Sequence, residues 1–226
     1  MKFLVLFYSC IFSSLIFDSS KRKYSDDEFT YEFSVTNNSP KTKLAKDIQL
    51  YWYALEKVQS SFYDFNGKLL HGNYKKSLNN SKAIIEEGFF LYGMKDGEWK
   101  KWDDQGNLLS VTNWKKGRKQ GVYELYDKNR KIITRGAFRE GQKTGKWISV
   151  KNGILINTTW SKDYLNGVYR EHDSLGNLLK KGRYKRNMKT GIWTDYIQKT
   201  RKRYDSDKIV NENVETFWDT FKEKKN

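Results

Sequence analysis

The sequence predicts an all-β protein, an elongated open antiparallel sheet of tandem β-hairpins, and three observations lead there. The first is a Gly-x-aromatic triplet at Gly72-Asn73-Tyr74, Gly97-Glu98-Trp99, Gly121-Val122-Tyr123, Gly145-Lys146-Trp147, Gly167-Val168-Tyr169 and Gly191-Ile192-Trp193, which returns every 22 to 25 residues. Self-similarity at a fixed period marks a repeat architecture. The second is what lies between the triplets: short aromatic and aliphatic runs parted by Asn, Asp and Gly, residues that supply the positive φ of tight hairpin turns. The third is composition. Aromatic residues at 16%, 16 glycines and one proline in 226 residues suit thin β structure with large plugs and polar turns. Disordered chains lack such aromatics, and a membrane-spanning chain needs a longer apolar run.

Taken in order, residues 1–20 read as a secretory signal peptide. Met1-Lys2 leads into an apolar run from Phe3 to Phe17, and the basic Lys21-Arg22-Lys23 follows. The small pairs Ser13-Ser14 and Ser19-Ser20 place the cut between Ser13 and Lys23. Two other readings stay open: a lipoprotein signal, Phe7-Tyr8-Ser9-Cys10, with Cys10 acylated, and an uncleaved strand or helix of the fold. Cys10 is the single cysteine, so the body of the chain forms no internal disulfide and no Cys-based zinc site.

Residues 21–50 are expected to be a strand and linker, because Phe29, Tyr31, Phe33 and Val35 alternate with Thr30, Glu32 and Ser34 before an Asn37-Asn38-Ser39-Pro40 turn. Residues 51–204 hold the repeats. Tyr51-Trp52-Tyr53 and the stretch from Phe62 to Gly72 read as a decayed first unit. In a full unit the triplet is followed by a second apolar slot (Trp102, Tyr126, Val150, His172, Tyr196), a polar turn, an aliphatic pair such as Leu108-Leu109 or Ile132-Ile133, and a closing aromatic (Phe90, Trp114, Phe138, Trp160, Tyr184). Glycine-containing turns, Lys116 to Gly121 and Glu140 to Gly145, then lead onward. The triplet aromatic alternates Tyr and Trp, so neighbouring units should pack as unequal pairs. One hairpin cannot bury its aromatic face, so the units must stack into a twisted ribbon that grows about 10 Å per unit. Residues 205–226 form a charged tail in which Val214, Phe217, Trp218 and Phe221 carry the spacing of a short capping helix.

This unit resembles the MORN-variant repeats of YwqK-type bacterial proteins, over Tyr51 to Tyr196. The resemblance implies an open sheet of β-hairpins and a role in protein or membrane-lipid contact, and some relatives are labelled antitoxins. Val150 and His172 depart from the pattern where it calls for an aromatic, and the first unit is degenerate.

The sequence carries little for catalysis. It has two histidines, His71 and His172, with no Gly-rich phosphate loop, Gly-x-Ser-x-Gly elbow or metal-ligand cluster. Acidic pairs such as Asp103-Asp104 fall in turns, where Asp binds backbone amides. The chain is therefore expected to be no enzyme and to need no cofactor or metal. Its formal charge of +16 fits a surface that simply stays soluble, or one with a nucleic-acid, anionic-lipid or acidic-protein partner. Lys115, Lys116, Arg118 and Lys119 recur in phase as Arg139 and Lys143, and again as Lys185, Arg186 and Lys189. Same-phase residues of a stacked repeat share an edge, so these nine are expected to form a positive ridge. Such lysines also keep a ribbon soluble and block edge-to-edge pairing. The expected function is a non-catalytic, exported scaffold, periplasmic, surface-bound or secreted, whose partner is a protein or an anionic lipid or envelope component, with nucleic acid disfavoured. The alternative is an antitoxin or immunity protein, with which an export signal fits poorly.

Overall fold

The computed structural model describes residues 20–40, 45–62 and 64–213. Among them every regular element is a strand, and eighteen strands join in one antiparallel, open sheet. The amino-terminal part holds β1 (Ser20–Ser25), β2 (Phe29–Thr36), β3 (Leu50–Ala54), β4 (Lys57–Ser61) and β5 (Lys68–Leu70). The ribbon follows with β6 (Gly72–Leu78), β7 (Ile84–Leu91), β8 (Met94–Trp102), β9 (Leu108–Lys115), β10 (Arg118–Tyr126) and β11 (Ile132–Arg139). It continues through β12 (Gln142–Lys151), β13 (Ile154–Ser161), β14 (Tyr164–His172), β15 (Leu178–Lys185), β16 (Met188–Asp195), β17 (Thr200–Asp205) and β18 (Lys208–Asn213). From β6 onward each strand pairs with the next in the chain. β2 lies beside β6 and, further along, β5, with β1 on its other edge. The expected starting strand is β2, and its inward side chains Phe33 and Val35 are buried.

Three expectations need correction. The segment from Tyr51 is not a decayed first unit in line with the others. β3 and β4 make a separate hairpin that pairs with β5 over two residues and lies across the beginning of the ribbon. The reason is that Leu50 and Trp52 on one side of β3, and Tyr51 and Tyr53 on the other, all lose water, so β3 has no open face to stack with. Second, Lys116 to Gly121 and Glu140 to Gly145 are not long turns. The turns are only Lys116-Gly117 and Glu140-Gly141, with positive φ at both residues, the two-residue form that matches strand twist. The following residues belong to β10 and β12, where Gly121 and Gly145 accompany a break in register, a β-bulge. Third, the array does not stop at 204, which falls inside β17, and β18 follows as a further strand. The stripe of Val214, Phe217, Trp218 and Phe221 lies outside the described residues, as do residues 1–19, while Lys21-Arg22-Lys23 is part of β1.

The alternation of Tyr and Trp has a structural counterpart. Tyr74, Phe90 and Trp99 form a triad, with Phe90 edge-on to both partners at 5.3 and 4.8 Å between ring centres. The same arrangement returns as Tyr123, Phe138 and Trp147 and as Tyr169, Tyr184 and Trp193. The packing unit is therefore a pair of hairpins. Each tryptophan lies flat on a glycine: a Cβ on Gly88, Gly136 or Gly182 would stand 2.3, 2.1 or 2.1 Å from the indole Cδ2 of Trp99, Trp147 or Trp193. Any larger residue would lift the ring off the sheet.

One edge of the ribbon is stitched. Its tight turns donate backwards, Gly117 N–H to Lys95 O at 2.8 Å, Gly141 to Lys119 at 2.9 Å, Asn187 to Leu165 at 2.9 Å and Asp207 to Lys189 at 3.1 Å. Side chains add a second stitch. Where the second turn residue is glycine, Asp96 accepts from Lys116 N–H and Gln120 from Glu140 N–H. Where it is Asp163, Asn187 or Asp207, that residue's own oxygen accepts from Lys143, Leu165 or Lys189 N–H at 2.8, 2.6 and 2.7 Å. Steric crowding explains the first choice at Gly117, where a Cβ would meet the Ile48 side chain at 2.7 Å.

Candidate functional site

The structure separates the nine basic residues into three groups. Lys115, Lys116, Arg139, Lys185 and Arg186 stand exposed on the stitched edge. Arg118 turns aside to Asp47, with 2.7 Å between Nη2 and Oδ1, and ties the segment before β3 to the ribbon. Lys119, Lys143 and Lys189 leave the edge and lie over rings. Lys143 Nζ is 4.5 Å from the centre of Trp160 and 4.6 Å from that of Trp147. Lys119 lies 4.9 Å over Phe138, and Lys189 5.0 Å over Trp193. Burial, and then the neighbouring Lys143, pull the Lys119 ammonium below its ordinary pKa. These three lysines lid the aromatic rows through cation–π contact, while their stems cover ring surface. The edge is thus basic, but a continuous ridge of nine is not what the chain builds.

Lys95 belongs to the same phase and was not singled out from the sequence. Its Nζ lies 3.8 Å over Trp99 and 2.7 Å from Glu86 Oε1. Desolvation lowers its pKa, and Glu86 opposes that shift. A partnered, covered lysine of this kind is a packing element.

The sequence also gave no sign of how charge divides between the two faces. Call the side carrying the triads the ring face. On the reverse face, cross-strand register aligns Lys23, Glu32, Lys75, Glu87 and Lys100 over β1, β2, β6, β7 and β8. Their signs alternate, and Glu32 is 3.6 Å from both Lys23 and Lys75. The same row continues over β13 to β17 as Asn157, Arg170, Lys181, Thr194 and Arg201. There the row has no carboxylate. A neighbouring row pairs Val168 with Arg183 and Ile192 with Arg203, again without an acid. The nearby acids face the other way: Glu171 and Asp195 meet Lys180 on the ring face, at 4.0 and 3.3 Å. Asp205, at the foot of β17, accepts from the Ser206 hydroxyl at the turn.

His172 sits beside Asn157 at 3.5 Å between Nδ1 and Nδ2, in its slot on the reverse face. His71 is buried between β5 and β6, where its Nδ1 accepts from Tyr92 N–H at 3.2 Å and desolvation lowers its pKa. Asp103 and Asp173 close their turns by accepting from backbone amides, from Asn107 and Asn177 at 2.8 Å each. Among the described residues no group of three His, Cys, Asp or Glu side chains is placed to hold a metal ion. No protein-family model matches this chain, and no curated protein matches it.

Proposed function

We propose that the chain is a non-catalytic repeat scaffold of the MORN-variant type, exported to the cell envelope or beyond the cell, that binds a protein or an anionic envelope component. The observation that supports this reading is the open half of the sheet. Among the described residues, the extensive contacts of each strand from β11 to β18 are with its neighbours in the chain, which leaves two faces and a basic edge displayed. A one-layer sheet offers area and charge pattern where a catalyst would offer a concave pocket.

Fractionation of the native cells, with intact-mass measurement, tests export. The expected result is a chain cut between Ser13 and Lys23 outside the cytoplasm, or one acylated on Cys10. A full-length cytoplasmic chain would overturn it. Photo-crosslinking from exposed edge and face positions tests binding: a discrete adduct is expected, and its loss from every position would count against a scaffold.

A further inference from the structure

We propose that the reverse face over β13 to β17 is a docking surface for an acidic protein segment in which carboxylates stand beside apolar side chains. The inference rests on the scaffold reading and names its partner's chemistry and its contact face, which is not the turn edge that the sequence highlights.

The charge pattern is one-sided. Arg170, Lys181, Arg183 and Arg203 are exposed, and neither of their register rows contains an acid across these strands. On the same face of β1 to β8 every cation of the row has an acid directly opposite. A solubilising surface interleaves both signs, as that first half does. Self-repulsion among same-sign charges costs stability, and an incoming anionic surface removes it. Spacing also suits carboxylates. Lys181 and Arg183 are two residues apart on one strand, about 7 Å, and Arg183 and Arg203 lie two strands apart, about 10 Å.

Residue type and neighbours choose among anionic partners. The chain has ten arginines beside many more lysines, yet arginine supplies three of these four exposed cations. Arginine is enriched and lysine depleted at protein interfaces, and the guanidinium grips a carboxylate through two parallel hydrogen bonds. The cations alternate with aliphatics: Val168 stands opposite Arg183, and Ile192, 40% exposed, stands opposite Arg203. Ile148, also 40% exposed, continues the cationic row onto β12. A nucleic-acid strand needs a row of rings to stack successive bases; here the ring rows occupy the opposite face, and the ring beside these cations is Tyr196, 5.6 Å from Lys181 Nζ. Membrane-surface binding favours Trp and Phe at the interface, and the two tryptophans of this region, Trp160 and Trp193, lie under Lys143 and Lys189 on the ring face.

The test uses the full chain and four labelled probes: a peptide repeating Glu-Ser-Leu-Ser, its leucine-free counterpart Glu-Ser-Ser-Ser, an oligothymidylate of equal charge, and phosphatidylglycerol vesicles. The leucine-bearing peptide is expected to bind most tightly. Its affinity should fall about tenfold or more in Arg183→Ser/Arg203→Ser and stay unchanged in Lys115→Ser/Lys185→Ser. Both pairs are exposed, and an unchanged circular dichroism spectrum verifies the fold of each variant. Tighter binding of the oligonucleotide or the vesicles, or equal binding of the two peptides, overturns the inference. Loss of binding only in the Lys115/Lys185 variant overturns it too, while leaving the scaffold reading intact. A chain that binds none of the four overturns both.

Discussion

The two halves of the ribbon repeat one aromatic motif under different cover. In the first, β3 lies over the triad: Tyr51 packs on Phe90 at 4.9 Å between ring centres, Tyr51 N–H donates to Gly93 O, and Phe90 is 1% exposed. In the second nothing among the described residues plays that part, and the equivalent Phe138 and Tyr184 are half-buried. Trp99, Trp147 and Trp193 are nevertheless buried alike, at 3, 5 and 6% exposure. The tryptophan is therefore sealed by its own unit, with glycine beneath and mostly lysine above. The other rings depend on a cover. A repeat that buries only one ring in three by itself needs the amino-terminal hairpin to make a complete core, and that core holds most of the fully buried apolar side chains.

The largest expected effect breaks this comparison most directly. Phe90→Ala should cost about 3 to 5 kcal/mol, because it leaves a cavity under β3, whereas Phe138→Ala, which opens to solvent, should cost about half as much; urea unfolding of both variants decides it. Equal losses would show that the hairpin adds no sealing. Next, Gly88→Ala, Gly136→Ala and Gly182→Ala each push a Cβ into an indole, and overpacking costs about 1 to 3 kcal/mol. Gly88→Ala should cost most, because Phe90 beside Trp99 is itself pinned under Tyr51, whereas Phe138 and Tyr184 have room to give way. The quenched or shifted tryptophan emission of each variant reports the displaced ring.

Titration sharpens the same contrast. Burial raises the phenols of Tyr74, Tyr123, Tyr169 and Tyr184 above the ordinary value of 10.0. A group whose pKa is raised in the folded state contributes stability that is complete below its unfolded pKa and is lost as pH rises through the folded value. The fold should thus weaken above pH 10, with phenolate absorbance rising together with loss of structure. At the acid end, His71 has the opposite sign for a base, so stability should decline as pH falls below its ordinary 6.5. That decline should disappear in His71→Gln if the variant folds. Smallest of all, Asn187→Ala removes one stitch of the exposed edge and should cost about 0.5 to 1.5 kcal/mol, read as faster amide exchange at Leu165.

Much of the fold was legible in the sequence, because period and turn chemistry are local. The triplet glycines set the period, and Asn, Asp and Gly located the turns, but Gly121 and Gly145 read as ends of turns and not as the bulges they accompany. The β3–β4 hairpin was misjudged because its Tyr51-Trp52-Tyr53 resembles a repeat run, and only long-range packing reveals that both sides of β3 lose water. The site was less legible. Phase placed Lys119 and Lys143 beside Lys115 on an edge, but the direction of a side chain at a strand's start depends on where the bulge falls, and these turn onto rings. Arg170, Lys181, Arg183 and Arg203 are scattered along the chain and meet only through register. The missing signal was strict alternation counted within each strand from its own aromatic, Tyr169, Tyr184 or Tyr204, which puts all four on the side opposite the rings.

The stitched edge also gives the ribbon a mechanical asymmetry. Along it each turn is fastened to its predecessor through backbone, side chain or both, while the turns of the other edge close on themselves, as Asp103 N–H does to Asn107 O and Asp173 N–H to Asn177 O. A load that splays the strands meets resistance on one margin and little on the other. The strip is therefore built like a bound book, with its spine along the tight turns and the more compliant margin opposite.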